Sequence, residues 1–415
     1  MRSMLKLPLI IVCSILVSGF SYAASLPIAI ESVKCSWMNS AQLVAVPLDS
    51  GPLLLKSVHC LEPSTPRGLG SPQLSPDGNW LLLHGNYDEM WLTNIHKANA
   101  RSFRDGALAR LPEVGATSLV WAPDSRSVLG VKRETQRNGF STGPLKPTLF
   151  SVDGSTQPLP EFTNLAGPLD ELYWVGNTGL AIAAFGTRGD YYKPEHVDEN
   201  PTIAIVDARN GKVIQAVALA SLPDFPSKRI FVVNGRLDSR GRVHALIAFP
   251  HRWVEWNQGE APRMAPLGEE KNIRTQFALA PDGKHVLMMQ GLSASGPICE
   301  IWSRGKCPPP TPRSGSIAKL REISTGKIVW SIDGIARNFR NDNDPVISSD
   351  GRYALISIPA ESGTVSTSVI ALISMADGKV LQKINHYSKA FGFSSDGKAA
   401  WIADGAFVAK YSIRN

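Results

Sequence analysis

Short apolar runs separated by small polar turns recur along most of the chain. At residues 75–78 the chain reads Ser-Pro-Asp-Gly, with apolar positions before the turn and "NWLLLHG" after it. Variants of this turn recur in "WAPDSRSVLGV", "LAPDGKHVLMM", "ISSDGRYALIS" and "FSSDGKAAWIA". Pro presets φ at the first corner, Asp caps the turn through its side chain, and Gly accepts the positive φ that such a hairpin needs. Each copy therefore predicts a β-hairpin.

A second kind of turn alternates with the first. Two weaker hairpin copies, "LYWVGNTGLAIAAF" and "GRLDSRGRVHALIAF", complete the first set, and Gly-Lys turns follow in "IVDARNGKVIQAV", "LREISTGKIVWSI" and "LISMADGKVLQKI". Each unit then holds four short strands and recurs at an irregular spacing of about 45 to 65 residues. This recurrence predicts an all-β propeller of four-stranded blades. The hairpins predict seven blades, and an additional N-terminal hairpin keeps eight as the alternative.

The phrase Ser-Pro-Asp-Gly followed by an apolar strand resembles the repeats of the WD40-like propeller family typified by the bacterial TolB protein. The Gly-Lys turns are similar to those of quinoprotein-type and surface-layer propellers. The resemblance covers roughly residues 70 to 405. It implies an architecture and leaves function open, because such propellers include scaffolds, receptors and enzymes.

The last unit ends after its third strand, "AFVAKYSI", so another part of the chain must supply its fourth strand. We expect an N-terminal strand within about residues 41–58 to pair there and close the ring. Closure would remove the open sheet edges that otherwise favour aggregation. Residues 24–415 are therefore predicted to form one propeller domain.

The first 23 residues have the order of a secretory signal. Arg2 and Lys6 precede or flank the apolar run "LPLIIVCSILV", and the small residues "SGFSYAAS" follow it. We expect cleavage after Ala23. The apolar run is well short of the roughly 20 residues that span a bilayer, and no later segment approaches that length. The prediction is a periplasmic or secreted protein with no transmembrane segment.

Four cysteines remain after removal of the signal: Cys35, Cys60, Cys299 and Cys307. Export permits disulfides, and closeness in sequence favours Cys35 with Cys60 and Cys299 with Cys307 over the other pairings. A metal site is the alternative. It is less favoured because the cysteines lack the paired short spacing of zinc ligands.

Charge and composition add few candidates for chemistry. The net charge of +7 falls to +5 without the signal, and the basic residues are scattered, so no nucleic-acid partner is predicted. The eight histidines are dispersed and form no recognisable ligand pair. Asp342 and Asp344, in "RNDNDP", are weak candidates for a calcium site, since one cluster supplies too few ligands. We therefore predict no catalytic residue, no cofactor and no established metal site.

Long irregular segments all follow the second strand of a unit: "KRETQRNGFSTGPLKP" from residue 132, "TRGDYYKPEHVDEN" from 187, "GLSASGPICEIWSRGKCPPPTPRSG" from 291 and "PAESGTVS" from 359. Equivalent connections of a propeller emerge on one face, so these segments should gather there. Their aromatic and charged residues are of the types that dominate binding interfaces. The candidate binding residues are Arg188, Asp190, Tyr191, Tyr192, Trp302 and Arg304.

The sequence thus favours an exported, non-catalytic binding or scaffolding protein of the bacterial cell envelope. Its expected partner is another envelope protein or a peptide, bound on the face with the long connections. The alternative is a propeller enzyme, either a lactonase-like hydrolase or a quinoprotein-like oxidoreductase. Its active site would lie in the central channel, built by residues from distant blades.

Overall fold

The fold is built almost entirely from antiparallel strands, as seen in a computed structural model. It describes residues 52–60, 73–84, 90–94, 107–111, 119–135, 141–162, 165, 169–176, 178–185, 202–222, 232–249, 252–268, 276–290, 313–336, 344–359, 368–384, 390–403 and 407–414. Within these ranges, the only helix is one turn of 3-10 helix at Leu219–Ser221. Accordingly, no helix in this part of the chain is long and apolar enough to cross a membrane.

Consecutive strands pair with one another, so each sheet is a four-stranded meander. Sheet 1 contains β2 (Gln73–Leu74), β3 (Trp80–His84), β4 (Met90–Asn94) and β5 (Ala107–Leu111). Sheet 2 contains β6 (Val120–Trp121), β7 (Ser127–Thr135), β8 (Ser141–Ser151) and β9 (Thr156–Pro158). Sheet 3 contains β10 (Leu169–Trp174), β11 (Leu180–Phe185), β12 (Thr202–Asp207) and β13 (Lys212–Ala218).

The remaining sheets repeat this order, with one exception at the end of the chain. Sheet 4 contains β14 (Val232–Leu237), β15 (Val243–Phe249), β16 (Arg252–Asn257) and β17 (Arg263–Ala265). Sheet 5 contains β18 (Gln276–Leu279), β19 (His285–Met289), β20 (Arg313–Glu322) and β21 (Ile328–Ala336). Sheet 6 contains β22 (Val346–Ile347), β23 (Tyr353–Pro359), β24 (Ser368–Ser374) and β25 (Val380–Ile384). Sheet 7 contains β26 (Ala390–Phe393), β27 (Ala399–Ala403), β28 (Phe407–Ile413) and, from the other end of the chain, β1 (Leu53–Cys60).

The sheets are arranged as a β-propeller of four-stranded blades, which confirms the predicted all-β propeller architecture. The propeller is counted as six blades, although strand pairing gives seven four-stranded sheets. The predicted count of seven, with eight as the alternative, is therefore not matched by the blade count. The innermost strands β2, β6 and β22 are only two residues long, so they form the least regular part of the ring.

The apolar core lies between the faces of neighbouring sheets. Leu246 and Trp253 of sheet 4 pack against Phe277 and Val286 of sheet 5, for example. The rings of Trp253 and Phe277 meet edge to face, with centroids 4.8 Å apart. Because the alternate residues of a strand point to opposite faces, a sheet packed on both sides needs near-continuous apolar strands. This requirement explains β15, in which all seven residues are buried.

The Ser-x-Asp-Gly turns have the hydrogen bonds that their residues predict. At one such turn the Ser348 hydroxyl donates to Asp350 Oδ1 at 2.7 Å and accepts the Tyr353 N–H at 3.0 Å. Asp350 Oδ1 also accepts the Arg352 N–H at 3.1 Å, and Gly351 has φ of 71°. The first and second strands of every sheet pair as the predicted hairpins.

The outer strands carry a repeated contact between neighbouring sheets. In the related segments "GKVIQ" and "GKVLQ", the final glutamine bonds to the backbone of the next sheet through both amide atoms. Gln382 Nε2 donates to the Leu53 carbonyl at 3.2 Å, and its Oε1 accepts the Leu53 N–H at 2.9 Å. Gln215 makes the equivalent pair of bonds, each 2.8 Å long, with Glu260 O and the Gly259 N–H.

A tryptophan takes the place of the glutamine in "GKIVW". Trp330 Nε1 donates to the Met375 carbonyl of sheet 6 at 2.9 Å. Gln215, Trp330 and Gln382 therefore have the same role at the same repeat position. Each links the outer strand of one sheet to the next sheet. The bond from Gln382 differs from the others because its partner, Leu53, belongs to the strand that joins the two ends of the chain.

We predict that Gln382→Ala lowers the free energy of unfolding by about 1 to 3 kcal/mol, because it leaves buried backbone groups of Leu53 without their partner. Gln215→Ala is the matched control. Its bonds are exposed, so water replaces them and the loss should be smaller. Urea unfolding of the two variants measures the difference. An equal or greater loss for Gln215→Ala would contradict this account of closure.

Candidate functional site

The two ends of each sheet differ in their connections. At one end, here called the turn face, connections join the first strand to the second and the third to the fourth. These connections are tight turns apart from residues 95–106, which join β4 to β5 in sheet 1. At the opposite end, the loop face, connections join the second strand to the third and lead into the next sheet. Loop-face connections vary in length, from residues 250–251 in sheet 4 to residues 186–201 in sheet 3 and 290–312 in sheet 5.

On the turn face, neighbouring hairpin turns touch one another. The Asp77 N–H donates to Ser125 Oγ of the next turn at 3.0 Å. Ser125 has φ of 58° and stands where most of the other turns carry glycine. A positive φ disfavours residues other than glycine, and the bond that the Ser125 hydroxyl accepts explains why serine stands there. The Ser395 hydroxyl reaches the Pro76 carbonyl at 3.5 Å, which joins the last of these turns to the first. Hydrogen bonds thus link the first hairpin turn to both the second and the last.

The carboxylates of the turn face accept hydrogen bonds from residues of their own turns. The Ser394 hydroxyl, at 2.6 Å, and the Lys398 N–H, at 3.0 Å, lower the pKa of Asp396. Asp350 and Asp77 have lowered pKa values as well, because bonds from their own turns outweigh the effect of burial. Acids that stay ionised and fully bonded are poor proton donors. Their arrangement indicates a structural role.

A buried charged group lies on sheet 4. Glu255 accepts a 2.9 Å bond from Arg263 Nε, and its other oxygen lies 3.1 Å from His244 Nε2, outside hydrogen-bond geometry. Burial alone would raise the pKa of Glu255, but His244 and Arg263 lower it below its usual value. Side chains of both Glu255 and His244 are less than 10% exposed. Since substrate could not reach them, this group also has a structural role.

Most of the predicted site residues lie outside the described residues. These are the binding candidates Arg188, Asp190, Tyr191, Tyr192, Trp302 and Arg304, the cysteines Cys35, Cys299 and Cys307, and Asp342. Cys60 is the last residue of β1, and both predicted disulfides stay predictions. Of the two weak metal candidates, the structure describes only Asp344. Within the described part of the chain, no group of three His, Cys, Asp or Glu residues is placed to hold a metal ion.

Asp344 lies on the loop face, two residues before β22 begins. Its surface is exposed to water, yet burial raises the pKa of its carboxyl group. The innermost strands of a propeller surround a central channel, so Asp344 lies near the loop-face end of that channel.

Asp344 occupies a position that recurs in sheets 3 to 6. The inner hairpin turn of each of these sheets begins at a residue whose N–H bonds across the turn, such as Ser348 or Ala280. Four residues before that point, consecutive sheets carry Glu171, Asn234, Gln276 and Asp344. Equal distance from the turn places the backbones of these four residues at one level of the innermost strands.

Asn234 shows how an amide at this position bonds to the next sheet. Asn234 Oδ1 accepts the Leu279 N–H at 3.3 Å, and its Nδ2 donates to the Phe277 carbonyl at 3.4 Å. Gln276 occupies the same position one sheet later. Its Oε1 atom is buried and has no hydrogen-bond partner among the described residues. The sequence analysis missed both amides, although counting back from each turn would have aligned them with Asp344.

No family model matches this chain, and no curated protein matches it.

We predict that Glu255→Gln weakens the fold at neutral pH and makes stability less dependent on pH. Because the folded-state pKa of Glu255 is lowered, its contribution is present above the usual value of 4.5 and is lost as pH falls through the folded-state pKa. We expect a loss of about 1 to 3 kcal/mol at pH 7 that shrinks toward pH 3. Urea unfolding at several pH values measures it.

Glu260→Gln, on the exposed turn of the same sheet, is the control for this change. It should leave the pH dependence close to that of the original chain. A constant difference between Glu255→Gln and the original chain from pH 7 to pH 3 would refute the assignment.

Proposed function

We propose that this chain is an exported, non-catalytic propeller that binds a protein or peptide partner of the bacterial cell envelope on its loop face. The single observation that supports this proposal is the unequal character of the two faces. Apart from residues 95–106 of sheet 1, the turn face consists of short turns, and the carboxylates of its hairpin turns are bonded within the turns themselves. Connections of up to 23 residues join strand ends on the loop face. Long connections on a rigid scaffold are commonly functional.

The composition of the two longest connections supports recognition of a partner. Segment 186–201 contains Arg188, Asp190, Tyr191 and Tyr192, and segment 291–312 contains Trp302 and Arg304. Tyrosine, tryptophan and arginine are the residues most enriched at interface hot spots. A scaffold with one featureless face and one face rich in these residues is suited to binding. The WD40-like, TolB-type resemblance is compatible with this role.

The test is to identify an envelope partner by crosslinking and then to shorten segments 187–200 and 292–311 separately. We expect at least one shortened variant to lose about tenfold or more in affinity, since a single hot-spot residue contributes 2 kcal/mol or more. Shortening the third connection, residues 360–367, is the matched control. Circular dichroism checks that each variant keeps its strands. Unchanged partner binding in both variants would refute the loop face as the binding surface.

The proposal also includes export of the chain and the formation of two disulfides. The mature chain should begin at Ala24 and contain the pairs Cys35–Cys60 and Cys299–Cys307. N-terminal sequencing and non-reducing peptide mapping of protein isolated from the envelope test both points. Four free thiols, or a peptide crosslinking Cys35 to Cys299, would contradict the pairing. An intact N-terminal segment would contradict cleavage.

We infer that all seven sheets are blades of one closed ring. Contacts between neighbouring sheets support this count: innermost strands contact one another from sheet 1 to sheet 2, from sheet 3 through to sheet 7 and, as β26 with β2, from sheet 7 to sheet 1. Sheets 2 and 3 meet through β8 and β10. Sheet 7 also has its full four strands once β1 is included. An experimental structure would decide between seven blades and six. A gap between sheets 7 and 1, or a sheet displaced from the ring, would contradict the larger count.

A channel enzyme is the second candidate function. The observation that favours it is Asp344 at the loop-face end of the central channel, since a carboxyl group with a raised pKa is typical of general acids and bases. Such an enzyme would be a lactonase-like hydrolase or a quinoprotein-like oxidoreductase. A hydrolase and dehydrogenase screen tests it, with Asp344→Asn as the inactive reference. Activity that Asp344→Asn abolishes would replace the binding proposal with the enzymatic one.

A further inference from the structure

The fourth strand of sheet 5, β21, is the longest outer strand among the described sheets. It has nine residues, whereas β9 and β17 have three each, β5 and β25 five each, β13 seven and β1 eight. Within the described chain β21 pairs only with β20, so its outer edge has no partner strand. Proteins commonly protect such an edge by keeping the strand short or by placing proline in it. β21 is long and contains no proline, so its edge is open to another strand.

Two large apolar side chains are exposed at the start of this strand. Ile328 is 45% exposed and Val329 is 47% exposed. In the part of the chain that the structure describes, Met264 is the only other large apolar residue that is exposed. The register of β20 and β21 shifts beside these two residues, and a bulge of this kind redirects side chains. The unpaired edge therefore also presents apolar surface.

The same repeat position is covered in two other sheets. The residues equivalent to Ile328 and Val329 in "GKVIQ" of sheet 3 and "GKVLQ" of sheet 6 are Val213, Ile214, Val380 and Leu381. Each of these four is partly buried against an apolar core cluster. Ile328 and Val329 pack against no core cluster of the described residues. In sheet 5 the fold therefore leaves open a position that it covers elsewhere.

The charges beside β21 match those of a second copy of the same strand. Lys327 precedes the strand at its turn-face end, and Asp333 lies six residues later, toward the loop face. Both residues are exposed, and neither forms an ion pair with another described residue. An antiparallel pair of β21 strands with a twofold axis near Trp330 brings Lys327 of each copy beside Asp333 of the other. Parallel pairing in register would instead bring like charges together.

We propose that two copies of this chain pair edge to edge through β21, so that sheet 5 of one copy continues into sheet 5 of the other. The pairing supplies hydrogen-bond partners to the open edge and places cross-strand neighbours beside Ile328 and Val329. It also forms two pairs of opposite charges. A twofold contact of this kind closes after two copies, so it produces a dimer and no longer assembly. Because β21 lies at the rim, the dimer is independent of partner binding on the loop face.

The experiment measures the oligomeric state of the full mature chain by sedimentation velocity over a range of concentrations at low salt. The original chain should form a dimer whose fraction rises with concentration. Lys327→Asp and Asp333→Lys should each weaken the dimer by about tenfold or more, because each change replaces two attractive pairs with two repulsive ones. The double variant, Lys327→Asp with Asp333→Lys, has opposite charges across the axis again and should restore the dimer.

Lys212→Asp is the matched control, because Lys212 is exposed at the equivalent position of sheet 3 and the change in charge is the same. It should dimerise like the original chain, and circular dichroism checks that every variant keeps its strands. The proposal would be overturned by a chain that is monomeric at all concentrations, by equal weakening in Lys212→Asp, or by a double variant that stays monomeric. A monomer whose β21 amides become protected from hydrogen exchange only with an envelope partner would assign the edge to that partner instead.

Discussion

The pairing of β1 with β28 is the interaction on which the rest of the structure depends. A propeller is stable because every sheet is packed between two others, and a single open position would expose two apolar faces. Here the closing sheet is completed by a strand from the opposite end of the chain. Gln382 attaches that strand to sheet 6 as well, so the closing strand is bonded to two sheets at once. Without it, the outer side of β28 would be an open edge.

Closure allows the two faces to serve different purposes. The turn face supplies rigidity, because each of its aspartates is bonded inside a turn and successive turns are linked, as at Asp77 and Ser125. Connections of very different length lie on the loop face, because they can lengthen there without disturbing strand pairing. Asp344 lies between the two faces: it directly precedes an innermost strand, and its side chain is exposed on the loop face.

Local chemistry explains how much could be predicted from the sequence. Ser348, Asp350 and Gly351 define a turn through bonds among residues only a few positions apart, so the sequence predicts the hairpin without knowledge of the fold. The bonds from Asn234 to Phe277 and Leu279 depend instead on residues of different sheets, which are more than 40 positions apart in the sequence and meet only when the sheets pack together. The bond from Gln382 to Leu53 spans 329 positions and is invisible to any local pattern, although the shared "GKVIQ" and "GKVLQ" segments hint at a common role.

The origin of β1 also determines the order in which the molecule can be assembled. During synthesis β1 emerges among the first strands, but its partner β28 is the last, so this strand stays unpaired while all the other sheets are made. Contacts of such long range slow folding, and an exposed strand during that interval is open to pairing with other chains. Completion of the ring is therefore a late, all-or-none event, and chains truncated anywhere before residue 407 should have no route to the closed state.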